Sequence, residues 1–217
     1  VFYYARLSTS ANVAAGDVLC ATNLVASHQS GIVTCAAATT GASTITVTAG
    51  TAFTANQYAE GYINFADSAS AGGGWMFRVK SHPVIATAAT GTITLYDSIP
   101  GTIAAGPVNF MPNPFNQVLV GSAALGLPIG VAPVAVTTSN YFWLQTWGPA
   151  SPRHTGATVA AGALSMATLG GVTNFSVTGT LAATGFAQID YKSIIGKNLS
   201  LAATATECNP VFLMILP

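Results

Sequence analysis

The chain has 217 residues, and 6% of them are charged, against ~25% in an ordinary soluble domain. Six Lys and Arg balance six Asp and Glu, so there is no basic excess to attract nucleic acid or an anionic membrane. Hydrophobic residues make up 51%, which excludes a disordered chain, and so little repulsive charge points to a subunit of a large assembly.

Residues 1–17 carry Arg6 where the apolar run of a secretion signal would stand, and residues 1–15 read as an extended N-terminal arm. Residues 13–19, with Asn12 as cap, have room for a brief helix; so do 160–169 and 191–199, each interrupted or bracketed by glycine. Elsewhere the rhythm is period 2. Residues 43–48 (STITVT) put Ile45 and Val47 on one face and threonines on the other. Residues 61–66 (GYINFA) set Tyr62 and Asn64 against Ile63 and Phe65. Residues 75–80 (WMFRVK) set Trp75, Phe77 and Val79 against Met76, Arg78 and Lys80. Residues 92–97, 175–178 and 186–191 repeat the pattern. Residues 72–74 (GGG) read as a flexible hairpin tip; no Lys-Ser/Thr follows them to make a phosphate loop.

Residues 110–116 (FMPNPFN) cannot continue a strand ladder, because two of them are proline. A boundary near residue 115 therefore divides the chain into a 1–115 β subdomain with an N-terminal arm and a 116–217 β subdomain. Residues 118–136 are uncharged and long enough to span a bilayer, but Gly121, Gly126, Gly130, Pro128 and Pro133 interrupt them, so they read as buried strand and loop. The run 211–217 (VFLMILP) is apolar on both parities, the mark of a strand covered on both faces. The predicted fold is all-β: an antiparallel β-sandwich or barrel-like arrangement in two small subdomains, with very little helix.

Few residues offer chemistry. Cys20, Cys35 and Cys208 leave at least one free thiol, room for a Cys20–Cys35 bridge, and no zinc-type spacing. His28, His82 and His154 belong to no nucleophile-elbow motif. Asp17, Glu60, Asp67, Asp97, Asp190 and Glu207 are scattered, and each suits a turn or cap. His154, after Pro152 and Arg153, reads as an exposed loop group or a subunit contact. Asn174 and Asn198 begin sequons that no secretion signal supports.

The segment 141–148 (YFWLQTWG) stands apart. Alternation puts Tyr141, Trp143, Gln145 and Trp147 on one face and Phe142, Leu144 and Thr146 on the other. It reads as a core strand, an aromatic subunit interface or a sugar-stacking platform. Trp143 is expected in the core and Trp147, at the strand end, in an interface. Tyr141, Trp143, Trp147, His154 and Trp75 form the candidate interface set.

The runs 54–62 (TANQYAEGY), 77–83 (FRVKSHP), 92–100 (TITLYDSIP) and 113–115 (NPF), with 130–148, resemble virion structural proteins of tailed bacteriophages. The last half, with VAAG at 159–162 and Ile195-Gly196, resembles small phage head-decoration proteins. The resemblance covers roughly residues 43–217 and carries no catalytic residues. It implies a non-enzymatic cement protein with no cofactor or metal, made in the host cytoplasm and seated on the capsid surface. Its implied partners are the major capsid protein and itself, as a homo-oligomer with a trimer favoured, and neither nucleic acid nor membrane. Two other readings stay open: a host- or glycan-binding β-sandwich of a phage spike or fibre, and a polysaccharide-degrading β protein.

Overall fold

The computed structural model describes residues 1–29, 32–120, 127–154, 164–168, 171–174, 194–199, 208 and 210–216. The chain is all-β. It opens with β1 (Phe2–Leu7) and β2 (Val18–Cys20). Then come β3 (Thr34–Cys35), β4 (Thr44–Thr48), β5 (Tyr62–Phe65), β6 (Met76–Ser81), β7 (Thr90–Leu95) and β8 (Gly106–Met111). The remainder forms β9 (Asn116–Val120), β10 (Pro128–Val131), β11 (Tyr141–Gln145), β12 (Trp147–Ala150), β13 (Leu164–Thr168), β14 (Gly171–Asn174), β15 (Ile194–Asn198) and β16 (Val211–Met214). The one helical element among the described residues is a single 3-10 turn, Ala26–His28. The three segments with room for short helices are otherwise: 13–19 holds an isolated bridge and β2, and strands β13 and β15 lie within the other two.

The chain divides into two compact units, Leu24–Asn113 and a discontinuous one made of Val1–Asn23 with Pro114–Pro217. The proline-rich junction is thus a boundary, but residues 1–23 do not belong with the segment that follows them. The reason is strand pairing. β1 runs antiparallel to β11 and parallel to β9, contacts across more than a hundred residues of chain that no local pattern announces. The expected N-terminal arm is therefore a structural strand.

The Leu24–Asn113 unit is a closed antiparallel barrel in the order β3-β4-β7-β6-β5-β8. Period-2 alternation fills it. In β4, Ile45 and Val47 are buried while Thr44, Thr46 and Thr48 are exposed; in β5 and β6, Ile63, Phe65, Phe77 and Val79 point inward. Loops complete the core with Phe53, Tyr58, Ile85, Ile99 and Ile103. The glycine run at 72–74 is no loose tip. Gly73 donates to Ser70 O at 3.0 Å and Gly74 to Phe65 O at 2.8 Å. A Cβ on Gly73 would lie 1.9 Å from Asp67 O, so only glycine fits this turn.

The discontinuous unit contains a second closed barrel, β1-β11-β10-β2-β9, and a five-stranded antiparallel sheet, β12-β16-β15-β13-β14. Ala5, Leu7, Leu19, Val118, Ile129, Phe142 and Leu144 fill this barrel. β10 lies so close to β11 that a Cβ on Gly130 would stand 2.6 Å from Gln145 O. β16 is a central strand, between β12 and β15. Val211 and Leu213 are buried with Val18, Val131, Ala150 and Ile195, but Met214 is exposed, so the apolar run is not covered on both faces throughout. Predicted strands at 175–178 and 186–191, and the 159–162 step, lie outside the described residues. No described helix is long and apolar enough to cross a membrane.

Candidate functional site

β1 and β11 build the most distinctive surface. Their register pairs Phe2 with Gln145, Tyr4 with Trp143 and Arg6 with Tyr141 on the outward face, while Ala5, Phe142 and Leu144 face the barrel interior. The inward residues complete the small core, so the large rings of the opposite parity are left outside. Tyr4 and Tyr141 are each 57% exposed and Trp143 is 60% exposed. Their rings form a ridge. Tyr4 and Tyr141 stack at 5.3 Å, 7° from parallel, and Trp143 leans on Tyr4 at 5.3 Å. The Arg6 guanidinium sits 5.7 Å above the Tyr141 ring. Phe2 shares this face at one end, whereas Tyr3, of the opposite parity, stacks on Phe115 at 4.7 Å. Tyr and Trp combine a large apolar area with a polar handle and few rotatable bonds, which suits them to recognition.

This arrangement revises the sequence expectation. Trp143 is not a core residue; it is the most exposed ring of the ridge. Trp147 starts β12, half-buried and edge-on to Phe212 at 5.8 Å. Alternation correctly separated the two faces of 141–146, but both faces are apolar, and parity alone does not say which one meets the core. His154 is not an exposed loop group: it is 1% exposed, next to the Arg153–Asp17 ion pair of 2.9 Å. Trp75 belongs to the other unit, where it is half-buried, edge-on to Phe77, with its ring over Gly101. Of the five expected interface residues, Tyr141 and Trp143 therefore come together. The missed members are Phe2, Tyr4 and Arg6. Their signal is in FYYARL, where large aromatic and charged residues at even positions alternate with Ala5 and Leu7.

Three of the scattered carboxylates, Asp17, Glu60 and Asp67, are engaged structurally, while Asp97 is exposed. Asp17, buried, accepts from Ala14 N–H at 2.9 Å as well as pairing with Arg153. Glu60 binds Arg78 and the Tyr96 hydroxyl on the surface, and that bond raises the Tyr96 pKa above its ordinary value. Asp67 accepts from the Ser70 hydroxyl and from Ala69 N–H, which together hold its carboxyl below the usual range. Asp190 and Glu207 lie outside the described residues. Cys20, Cys35 and Cys208 are free thiols, so the Cys20–Cys35 bridge is not formed. Among the described residues no three His, Cys, Asp or Glu side chains gather into a metal-binding group. An open groove in the discontinuous unit is lined by Ala15, Gly16, Ala132, Pro133, Pro149 and Pro210, with Gln145, Ser151 and Cys208 as its polar rim. No carboxylate is among its lining residues.

No protein family, curated protein or solved structure matches the chain in comparison.

Proposed function

We propose that the chain is a structural virion protein that binds the outer surface of a phage capsid, and that it docks through the aromatic ridge of β1 and β11. The ridge is the observation that carries this reading. It joins Tyr4, Tyr141 and Trp143 into one exposed apolar face on a chain with almost no charge. Such a face gains free energy by leaving water, roughly 25 cal/mol per Å² of apolar area. The low charge count supports the same reading, because few charges need desolvation when a seam between subunits closes. The resemblance of 43–217 to phage virion proteins adds the class of partner: the major capsid protein, bridged from outside, with self-association as a trimer. No catalytic step is involved.

Ring geometry favours a protein surface over a sugar. A pyranose stacks on an open ring face. In the ridge, Tyr4 presents one face to Tyr141, so the group offers ring edges as much as a flat platform. The test is co-sedimentation of the parent and a Tyr4→Ala/Trp143→Ala variant with undecorated capsids. The variant should fold, with a thermal transition lowered by only a few degrees, and lose its place on the capsid at least tenfold in affinity. Equal binding by both proteins would overturn the docking face. Failure of the parent to bind any capsid, combined with Trp143-dependent retention on surface polysaccharide, would replace the capsid reading with the spike or fibre one.

A further inference from the structure

Two histidines are buried inside the Leu24–Asn113 barrel, among Phe53, Tyr58 and Phe110. His28 is 2% exposed and His82 is 4% exposed. Their hydrogen bonds differ in kind. His28 holds the Tyr58 hydroxyl through Nδ1 at 2.5 Å and the Thr51 hydroxyl through Nε2 at 2.9 Å. Hydroxyls rotate and can donate or accept, so His28 keeps its partners in either charge state. His82 has no such freedom. Its Nε2 accepts from the backbone N–H of Tyr58 at 3.1 Å, and a backbone N–H can only donate. The ring proton is therefore on Nδ1, which donates to Pro83 O at 2.9 Å. A second proton has one place to go, Nε2, where it would point at another donor.

His82 also fastens a loop. It follows β6, and residues 54–59 fold back against it. Asn56 N–H donates to His82 O at 3.0 Å, His82 N–H donates to Asn56 Oδ1 at 3.0 Å, and Tyr58 N–H completes the set on the ring. The loop contains Asn56 in the left-handed region, at φ 55°, a conformation that surrounding contacts must hold. Tyr58 brings the largest fully buried side chain of the barrel with it.

We propose that His82 is a pH-sensitive clamp: protonation at Nε2 expels the Tyr58 N–H, releases residues 54–59 from the end of β6, and opens the barrel in mildly acidic solution. The titratable groups that face the His82 ring are His28 and the Tyr58 phenol. The charged groups on the packed elements, Glu60, Arg78 and Lys80, are engaged with one another and with Tyr96 at the exposed surface. Burial lowers the pKa of His82 from its ordinary value, and also that of His28, where a repulsive contribution from His82 adds to it. The sign follows. The open form takes up the proton first, near the ordinary histidine pKa of about 6.5, so the closed form is fully favoured above that pH. It loses ground as pH falls from there to the lowered value, by up to tenfold per pH unit for each histidine.

The experiment is amide hydrogen exchange on the full chain between pH 7.5 and 5, corrected for intrinsic exchange, with ¹⁵N shifts of the imidazoles. The opening equilibrium read at Tyr58 N–H should be flat above about pH 6.5 and rise below it by up to tenfold per unit for each histidine. His82→Gln, which can still accept the Tyr58 N–H but does not titrate, should remove one proton's worth of that slope, and His28→Gln should leave the His82 part in place. A Tyr58 amide equally protected at pH 7.5 and pH 5 would overturn the clamp, as would a His82→Gln slope equal to the parent's. If His82→Gln does not fold, the parent decides: an imidazole that gains its second proton while Tyr58 N–H stays protected contradicts the proposal, and loss of both together supports it.

Discussion

The two closed barrels treat aromatic side chains in opposite ways. The six-stranded barrel keeps Phe53, Tyr58, Phe65, Phe77 and Phe110 inside, in edge-to-face contact with one another and with two histidines. The five-stranded barrel has one buried ring, Phe142, with Phe115 partly buried against its core, and fills the rest with Ala, Val, Leu and Ile. Phe2, Tyr4, Tyr141 and Trp143 stand outside. Barrel diameter grows with strand number, so five strands enclose less volume than six and large rings are excluded first. The outer rings are thus left without an internal packing partner, and the stability of that barrel does not explain their presence. The proposed docking role would account for them.

Truncations measure that difference directly. Phe110→Ala in the six-stranded barrel removes a fully buried ring with two ring neighbours and should cost about 3–5 kcal/mol in denaturant unfolding. Leu144→Ala in the smaller barrel should cost about 2–5 kcal/mol, because its site is fully buried too. Its strand neighbour Trp143 is the contrast. Trp143→Ala removes a larger side chain yet should cost about 1 kcal/mol or less, the worth of its contact with Tyr4. A Trp143→Ala loss as large as that of Leu144→Ala would mean the ridge is a structural element, and the contrast between the barrels would fail.

Charge pairs give a finer version of the same comparison. Arg153→Met in the discontinuous unit strands the buried Asp17 carboxylate and should cost about 1–3 kcal/mol. Arg78→Met in the other unit breaks an exposed pair with Glu60 and should change stability by less than about 1 kcal/mol, less still at high salt. Matching thermal melts of the two variants at neutral pH would contradict the assignment of one pair as buried and the other as exposed.

Local alternation explains what could be read from the chain. In β4 and β5 the apolar parity is unambiguous, since Ile and Val alternate with Thr, or Ile and Phe with Tyr and Asn, and those residues face the core as their pattern requires. β11 has no polar parity. Phe142 and Leu144 compete with Tyr141 and Trp143, and the choice between them is made by the volume of the five-stranded barrel, a property of distant strands. The same nonlocality hides β1, whose partners are β9 and β11, and the His82–Tyr58 bond, which joins residues 24 apart through a backbone group. His154 misled for a related reason. Beside Pro152 and Arg153 it looks exposed, but Arg153 is drawn inward by Asp17 from the far end of the sequence.

Hydroxyl-radical footprinting of the free and capsid-bound protein tests the central claim most directly, because it reads each ring separately. In the free protein Tyr4, Tyr141 and Trp143 should oxidise readily while Tyr58 and Phe110 stay protected; on the capsid the first three should become protected and Trp147 should change little. Protection of Tyr4 and Trp143 in the free protein, or their unchanged oxidation when bound, would contradict the assignment of the ridge as the docking face.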